Sequence, residues 1–300
     1  MPKIAMTAGF YQVLANREPP VVRERYVQFY RDLYRLYDKQ LSAGSFNEGP
    51  GYSYTELGTY LLDNCAKKGG LNNLDLMVVV YWAHEFDPDH SSCGPFFAET
   101  YGIKGPILDV CDQGSAAFFT GLNIIQQYMR HGKTKKAMLL ALEQTSIPRD
   151  KADHPVLPVT NAAAAIVIQK DWPNDKPPSY RLLESQIILE SQICTSLFDA
   201  VQFLKIKCHA LELSPGEVMI VLKKSSYFFK NYQYNAVKEP EFCAVLQMIA
   251  LEAIPGFMPI MQYLSQILNS NQVVEKSYIL LIDEDAESLN TGYLLLQVKK

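Results

Sequence analysis

The residue types most able to do chemistry at one place are histidines and carboxylates in a short loop. Residues 84–90 read HEFDPDH, which sets His84 and His90 around three acidic side chains. Imidazole and carboxylate groups can ligate a metal, but this spacing matches no strong metal motif and lies outside any predicted helix. A polar surface loop is the favoured interpretation, and we predict no metal and no other cofactor.

Cysteine is the second chemical candidate. No two cysteines have the two-residue gap of a zinc knuckle or redox motif, so buried free thiols are expected in a long chain of this kind. Cys111 differs from the others because it ends an apolar run and precedes the polar residues Asp112 and Gln113. The six cysteines are Cys65, Cys93, Cys111, Cys194, Cys208 and Cys243.

Composition excludes several classes of protein. The chain has 300 residues, of which 48% are hydrophobic and 20% charged, with a net charge of −4. These values are typical of a folded soluble protein with one large α/β unit or about two domains. The absence of a basic stripe argues against a nucleic-acid partner. No apolar run reaches the ~18 residues of a membrane span, and the first residues lack a signal-peptide pattern, so we expect a cytoplasmic location.

Continuous apolar runs predict strands that are covered on both faces, and amphipathic stretches between them predict helices. Alternating strands and helices indicate an α/β fold. The predicted strands are 74–81, 107–111, 137–142, 163–168, 217–222, 278–282 and 293–298. The predicted helices are 20–40, 54–68 capped by Ser53, 115–130, 242–253 and 258–268.

The pattern also repeats. KKAMLLALE at 135–143 is followed by the strand AAAIVIQK, and KSYILLIDE at 276–284 is followed by YLLLQVKK. The repeat predicts two pseudo-symmetric halves joined near 171–180, a stretch rich in Pro and Asp. We therefore expect domains at 1–172 and 173–300. The acidic run 283–285 is expected to be a solvated loop.

Residues 74–169 resemble the first half of a thiolase-fold condensing enzyme of the ketoacyl synthase III type. Glu143 and Ser146 match the family's Glu and Ser after a strand. The resemblance implies a thiolase-like fold, with two pseudo-symmetric α/β halves in a layered αβαβα arrangement. In chain order the matching segments are LDLMVVVYWAHEF, AETYGIKGP, ILDV, SAAFFTGLNIIQQYMRHG, KTKKAMLLALEQTS and VTNAAAAIVI.

The family's chemistry needs a cysteine at the start of a buried helix, together with a His and an Asn that donate hydrogen bonds. Here the nucleophile position falls on Ser115, or on Gly114 when the alignment starts from Asp109. Lys224 stands where the His is expected, and the turn 252–257 contains no Asn. The resemblance therefore implies that the three chemical positions are vacant.

Ser115 has two interpretations. As a nucleophile it needs a base, which His84 or His90 could supply from the loop after the first predicted strand. As a helix cap it would supply its hydroxyl oxygen to free backbone N–H groups, and this interpretation is favoured. Cys111, Asp112 and Gln113 precede it and, together with His84 and His90, are expected to line the site.

The resemblance implies a catalytically degenerate subunit that pairs with an active, cysteine-bearing ketosynthase-like subunit as a heterodimer, or with itself. Its role would be acyl condensation or acyl transfer in fatty-acid-like or secondary metabolism, with acyl-CoA or an acyl carrier protein as possible further partners. The alternatives are an acyltransferase or hydrolase that uses Ser115, and a homodimeric acyl-binding scaffold.

Overall fold

A computed structural model describes residues 2–15, 24–41, 52–82, 92–145, 158–171, 180–189, 199–269, 275–285 and 290–298. Within these ranges the chain forms ten strands and eight α-helices. The strands are β1 Ile4–Val13, β2 Leu76–Tyr81, β3 Ile107–Val110, β4 Lys136–Glu143, β5 Ala162–Lys170, β6 Tyr180–Ile188, β7 Val218–Lys223, β8 Gln247–Leu251, β9 Tyr278–Glu284 and β10 Thr291–Val298. The helices are α1 Glu24–Arg35, α2 Tyr54–Lys67, α3 Cys93–Tyr101, α4 Ala116–His131, α5 Ala200–Ala210, α6 Tyr227–Ala236, α7 Pro240–Val245 and α8 Met258–Asn269.

The strands of the second half follow the order of the first half in reverse. The ten strands form one continuous sheet in the order β3-β2-β4-β5-β1-β6-β10-β9-β7-β8, so each strand of the first half has a counterpart in the second. The five strands of each half are called the first and the second sheet below. The halves meet through a short antiparallel contact in which Ala5 pairs with Arg181 and Met6 with Tyr180. This confirms the predicted pair of pseudo-symmetric α/β halves. The domain boundary between residues 172 and 173 remains our proposal, because 172–179 lie outside the described residues.

Each sheet has an inner and an outer face, because successive side chains of a strand point to opposite sides. On β2, Val78 and Val80 pack into the core between the two sheets, whereas Met77 and Val79 pack into the outer core of the first half. Helices α4 and α8 contribute to the inner core. Helices α2 and α3 cover the first sheet, and α5 and α6 cover the second. The result is the predicted layered αβαβα arrangement.

Helix α4 belongs to the first half but contacts both sheets. Its apolar residues Phe118, Phe119, Leu122 and Ile125 recur at helical spacing and are fully buried. Burying side chains of this size contributes roughly 1.5–3 kcal/mol each. The Ser185 hydroxyl on β6 donates to the backbone oxygen of Phe119 at 3.3 Å. The second half therefore helps to position the start of α4.

Some elements differ from the sequence-based expectations. The stretch 242–253, predicted as one helix, contains the end of α7 and then β8, because LQMIAL lies at the edge of the sheet beside β7. The predicted helix 20–40 is observed as α1, and 20–23 lie outside the described residues. Helix α2 begins as predicted at Ser53, which forms a capping box with Glu56.

The five described thiols are free, as expected, and three of them are buried. Cys65, Cys93 and Cys208 are buried free thiols, Cys111 and Cys243 are half-buried ones, and Cys194 lies outside the described residues. In the same part of the chain, no helix combines the length and the hydropathy needed to cross a membrane.

Gly292→Ala tests whether α4 packs against the second sheet. A Cβ at Gly292 on β10 would lie 1.9 Å from the Phe119 ring, so the ring and α4 must shift. We expect a loss of roughly 1–3 kcal/mol in the free energy of unfolding, measured by denaturant titration. Gly216→Ala is the control, since its nearest neighbour would be 4.0 Å away. Equal stability of the two variants would contradict this packing.

Candidate functional site

The turn that starts α4 brings a distant carboxylate onto the helix. Asp112 and Gly114 have positive φ angles of 58° and 50°, which fold the chain sharply after β3. The backbone N–H of Ser115 donates to Asp285 Oδ1 at 3.0 Å, across 170 positions of sequence. Asp285 follows β9 in the second half. A carboxylate at this position offsets the positive end of the helix dipole.

The Ser115 side chain does not cap α4, so the favoured sequence interpretation was wrong. Ser115 is 1% exposed and makes no side-chain capping bond. Its Oγ has no hydrogen-bond partner among the described residues. The cap is made by Asp285, and the Ser115 hydroxyl is a buried polar group beside it.

Gly114 is required by the same carboxylate. A Cβ at this position would lie 1.8 Å from Asp285 Oδ1, and the positive φ angle disfavours any residue with a side chain. Both constraints select glycine at the turn, so the contact between the turn and Asp285 depends on Gly114.

Helix α8 starts in a related way, with the halves exchanged. Glu143, the last residue of β4 in the first half, accepts the N–H of Phe257 at 2.5 Å. Glu143 is fully buried, and its second oxygen has no hydrogen-bond partner within the described ranges. A Cβ at Gly256 would lie 2.2 Å from Glu143 Oε1. Each half therefore supplies the carboxylate that holds the middle-layer helix of the other half.

A third carboxylate holds α6. Glu284 accepts the N–H groups of Tyr227 at 2.7 Å and Phe228 at 3.2 Å, while the Ser226 hydroxyl accepts that of Phe229. Asp283, Glu284 and Asp285 are 1%, 9% and 3% exposed. The expectation that this acidic run is solvated was wrong, because its members bind helix starts and a buried lysine.

That lysine is Lys223, the last residue of β7. Its Nζ lies 2.7 Å from Asp283 Oδ1 and also donates to the backbone oxygen of Gly256. Lys224 is exposed. Of the two lysines near the position where the family has its His, Lys223 enters the buried site and the predicted Lys224 does not. The name carboxylate cluster is used below for four carboxylates and the lysine among them: Glu143, Asp283, Glu284, Asp285 and Lys223.

Burial shifts the protonation of this cluster. Burial raises the pKa of Glu143 to about 8, although Lys223 and the backbone donors at the start of α8 oppose the shift. Burial also raises the pKa of Asp283 to about 6, against the opposing charge of Lys223. Because the pKa of Glu143 is near 8, its carboxyl is mainly protonated at neutral pH, which lowers the charge that the interior must hold.

The predicted lining residues lie on the outer side of the α4 turn. Cys111 Sγ lies 3.1 Å from Asp112 Oδ2, and burial together with Asp112 raises the pKa of the Cys111 thiol to about 12. Gln113 accepts the Thr120 hydroxyl at 2.6 Å. Asp112 and Gln113 are exposed, whereas the carboxylate cluster is buried. His84, His90 and Ser146 lie outside the described residues.

Sequence reasoning missed the most important members of the site, Asp285 and Lys223. One signal was available for Asp285. Three acidic residues directly follow an apolar strand that resembles the one ending at Glu143, so a pseudo-symmetric role could have been suspected. No comparable signal separates Lys223 from its neighbour, because all of β7 is buried.

The layered architecture and its paired central helices are those of the thiolase fold, and solved structures with this fold match the chain over nearly its whole length. AbyA1, a tetronic acid condensing enzyme, is 9% identical with a TM-score of 0.63, and the match covers 98% of this chain and 99% of that one. Acetamide-bound OleA from Xanthomonas campestris is 12% identical with a TM-score of 0.62, covering 99% and 100%. The 3-oxoacyl-[acyl-carrier-protein] synthase III of Aquifex aeolicus is 15% identical with a TM-score of 0.59, covering 99% and 100%.

The chain therefore has the thiolase fold of condensing enzymes of the ketoacyl synthase III type, as the sequence resemblance predicted. No family model matches the sequence, and no curated protein matches it either. At 9–15% identity the likeness establishes the fold, and function must be argued from the site.

Lys223→Met tests the carboxylate cluster. The variant leaves Asp283 buried without its cation, and removing one partner of a buried pair costs about 3–5 kcal/mol. The matched control is Lys224→Met, whose exposed side chain should change the free energy of unfolding by less than about 0.5 kcal/mol. Denaturant titration compares the two variants. A larger loss for Lys224→Met than for Lys223→Met would contradict the placement.

Glu143 predicts a pH dependence of stability. Between its usual pKa of 4.5 and about 8, the folded chain holds a proton that the unfolded chain has lost. The stability that this proton contributes is complete below pH 4.5 and is lost as the pH rises to about 8. The free energy of unfolding should therefore fall with rising pH, by up to about 1.4 kcal/mol per unit for one proton.

Glu143→Gln should flatten this fall, because glutamine keeps an acceptor for Phe257 and does not titrate. The measurement is urea unfolding at pH 5, 6, 7 and 8, with the exposed Glu99→Gln as the control. A pH profile that Glu143→Gln leaves unchanged would show that Glu143 titrates normally.

Proposed function

We propose that this chain is a catalytically degenerate ketoacyl synthase III-like subunit that pairs with an active condensing enzyme. The observation that carries the proposal is the hydrogen bond between Asp285 and the backbone N–H of Ser115. In the family that the sequence resembles, this helix start holds the nucleophilic cysteine. Here the position falls on Ser115, or on Gly114 in the other alignment, and neither is a cysteine. The positive end of the helix is engaged by a carboxylate of the chain itself.

The electrostatics at Ser115 oppose nucleophilic chemistry. A helix N-terminus favours a nearby anion by about 0.3–1 kcal/mol, and Asp285 already takes this role. A second negative charge on residue 115 would be repelled by Asp285. A serine is also a weak nucleophile without a base, and no described residue accepts a hydrogen bond from Ser115 Oγ.

The groups that could donate a hydrogen bond to a substrate carbonyl are already bound to other residues of the chain. Lys223 uses its ammonium group to bind Asp283 and the Gly256 oxygen. The start of α8 donates to Glu143, as described above. These groups bond to one another inside the protein, although Glu143 Oε2 and Asp283 Oδ2 have no partner among the described residues. Their mutual bonds support a structural role in place of binding a substrate carbonyl.

Pairing is supported by the edge strand that leads to this site. Strand β3 is the terminal strand of the sheet and bonds to β2 on its inner side. Ile107 and Leu108 are half-buried and Asp109 is exposed. An unpaired strand edge is a common place for a second chain to bind. We propose a cysteine-bearing ketosynthase-like subunit as that chain, acting in acyl condensation or acyl transfer in fatty-acid-like or secondary metabolism, with acyl-CoA or an acyl carrier protein delivering the substrate.

A partner experiment separates this proposal from its alternatives. The chain is co-expressed with the condensing enzymes encoded nearest to it, and the mass of the purified assembly is measured at micromolar concentration. A stoichiometric heterodimer supports the proposal. A homodimer that excludes these enzymes favours the acyl-binding scaffold, and a monomer under all conditions contradicts pairing.

Ser115→Ala tests degeneracy directly. We expect turnover by the complex to be unchanged, and stability to be equal or higher, because the variant removes a buried hydroxyl without a partner. Gly114→Ala should instead damage the protein, since its Cβ would collide with Asp285. Acyl transfer is measured for the chain alone and with its partner, at matched folded concentration. A loss above about a hundredfold for Ser115→Ala, some 2.7 kcal/mol, would support a serine enzyme and refute the proposal.

A further inference from the structure

A cavity of about 300 Å³ lies beside the first turns of α8, where β8 ends. Met258 in its wall is buried, and Leu251 and Ile254 are half-buried. The volume is at the lower end of the range for small-molecule sites, and an apolar wall is typical of them. The cavity borders the start of α8, which Glu143 binds, and its described lining contains no residue of the α4 turn.

Five polar side chains surround this apolar wall. Within the described part of the chain, none of them forms a hydrogen bond or an ion pair with another residue. They supply two hydroxyls, two amides and one carboxylate. Three of these side chains are exposed and two are half-buried, so their polar groups reach the opening of the cavity, where they can orient a ligand. The five are Tyr11, Thr160, Glu252, Gln262 and Gln266.

The charge of the cavity selects the ligand. Glu252 is the one ionisable carboxylate in the described lining, which contains no Lys, Arg or His. Burial raises the pKa of the Tyr11 hydroxyl, and the nearby Glu143 adds to this shift, so any charge on Glu143 adds to the negative potential of the cavity. Phosphates and carboxylates are therefore disfavoured. Tyr11 and Tyr263 contribute aromatic rings, whose faces attract cations.

We propose that this cavity binds a small organic amine, with its ammonium group on Glu252 and its apolar body against Leu251, Ile254 and Met258. The hydroxyl of Tyr11 and the amides of Gln262 and Gln266 supply the remaining hydrogen bonds. One exposed carboxylate and two tyrosine rings favour the cation over a neutral molecule of the same shape.

Three matched probes test the sign of the charge. Phenethylamine, phenethyl alcohol and hydrocinnamate share a phenyl body and differ in the end group. Their binding to the full chain is titrated by saturation-transfer NMR at pH 7. We expect the amine to bind most tightly, the alcohol more weakly and the carboxylate least. Binding of the carboxylate equal to or tighter than that of the amine would overturn the proposal, and so would the absence of binding by all three.

Two variants place the binding in this cavity. Glu252→Gln should weaken the amine about fivefold and leave the alcohol unchanged. Ala250→Phe should abolish binding of both, because Ala250 lines the cavity and the ring would fill it. The exposed Glu99→Gln is the control and should change nothing. Thermal unfolding checks that each variant is folded. If Ala250→Phe does not fold, the result for Glu252→Gln alone tests the proposal. Amine binding unaffected by Glu252→Gln would overturn the proposal.

Discussion

The start of a buried helix is the constraint on which this structure depends. Helices α4 and α8 begin between two sheets, where bulk water is not available to their free N–H groups. Asp285 binds the start of α4, and Glu143 binds that of α8. Because each carboxylate comes from the opposite half, the same bonds that satisfy the helices also join the halves. The glycines beside both carboxylates, Gly114 and Gly256, leave the room that this contact requires.

Buried carboxylates need compensation, and the structure supplies it in two ways. Lys223 binds Asp283, and burial raises the pKa of Glu143 until protonation removes its charge near neutral pH. A buried ion pair is a poor source of net stability, since desolvation offsets most of its attraction. The cluster is better understood as a means of holding α4, α6 and α8 in one arrangement. In doing so it engages the N–H groups at the starts of α4 and α8, which is the physical basis of the proposed function.

Sequence patterns predicted the fold better than the site. Apolar runs identified strands such as β2, β4 and β9, and helical spacing identified α4, because local periodicity reports burial directly. The run 283–285 was expected to be solvated because its burial depends on helix starts up to 170 residues away. Lys223 and Lys224 could not be separated, since a strand that is buried on both faces gives no alternation to show which lysine points inward. The cavity beside α8 escaped detection because its lining comes from four separate stretches of chain.

The central claim is that Asp285 controls the electrostatics at the start of α4. Ser115→Cys places a thiol there, and its pKa is obtained from the thiolate absorbance at 240 nm as the difference between this variant and the parent chain. We predict a pKa above the ordinary thiol value of about 8.5, and a decrease when Asp285→Asn is added. A thiol pKa below about 7 that Asp285→Asn leaves unchanged would show that the helix dipole remains available to a nucleophile, and would contradict the account.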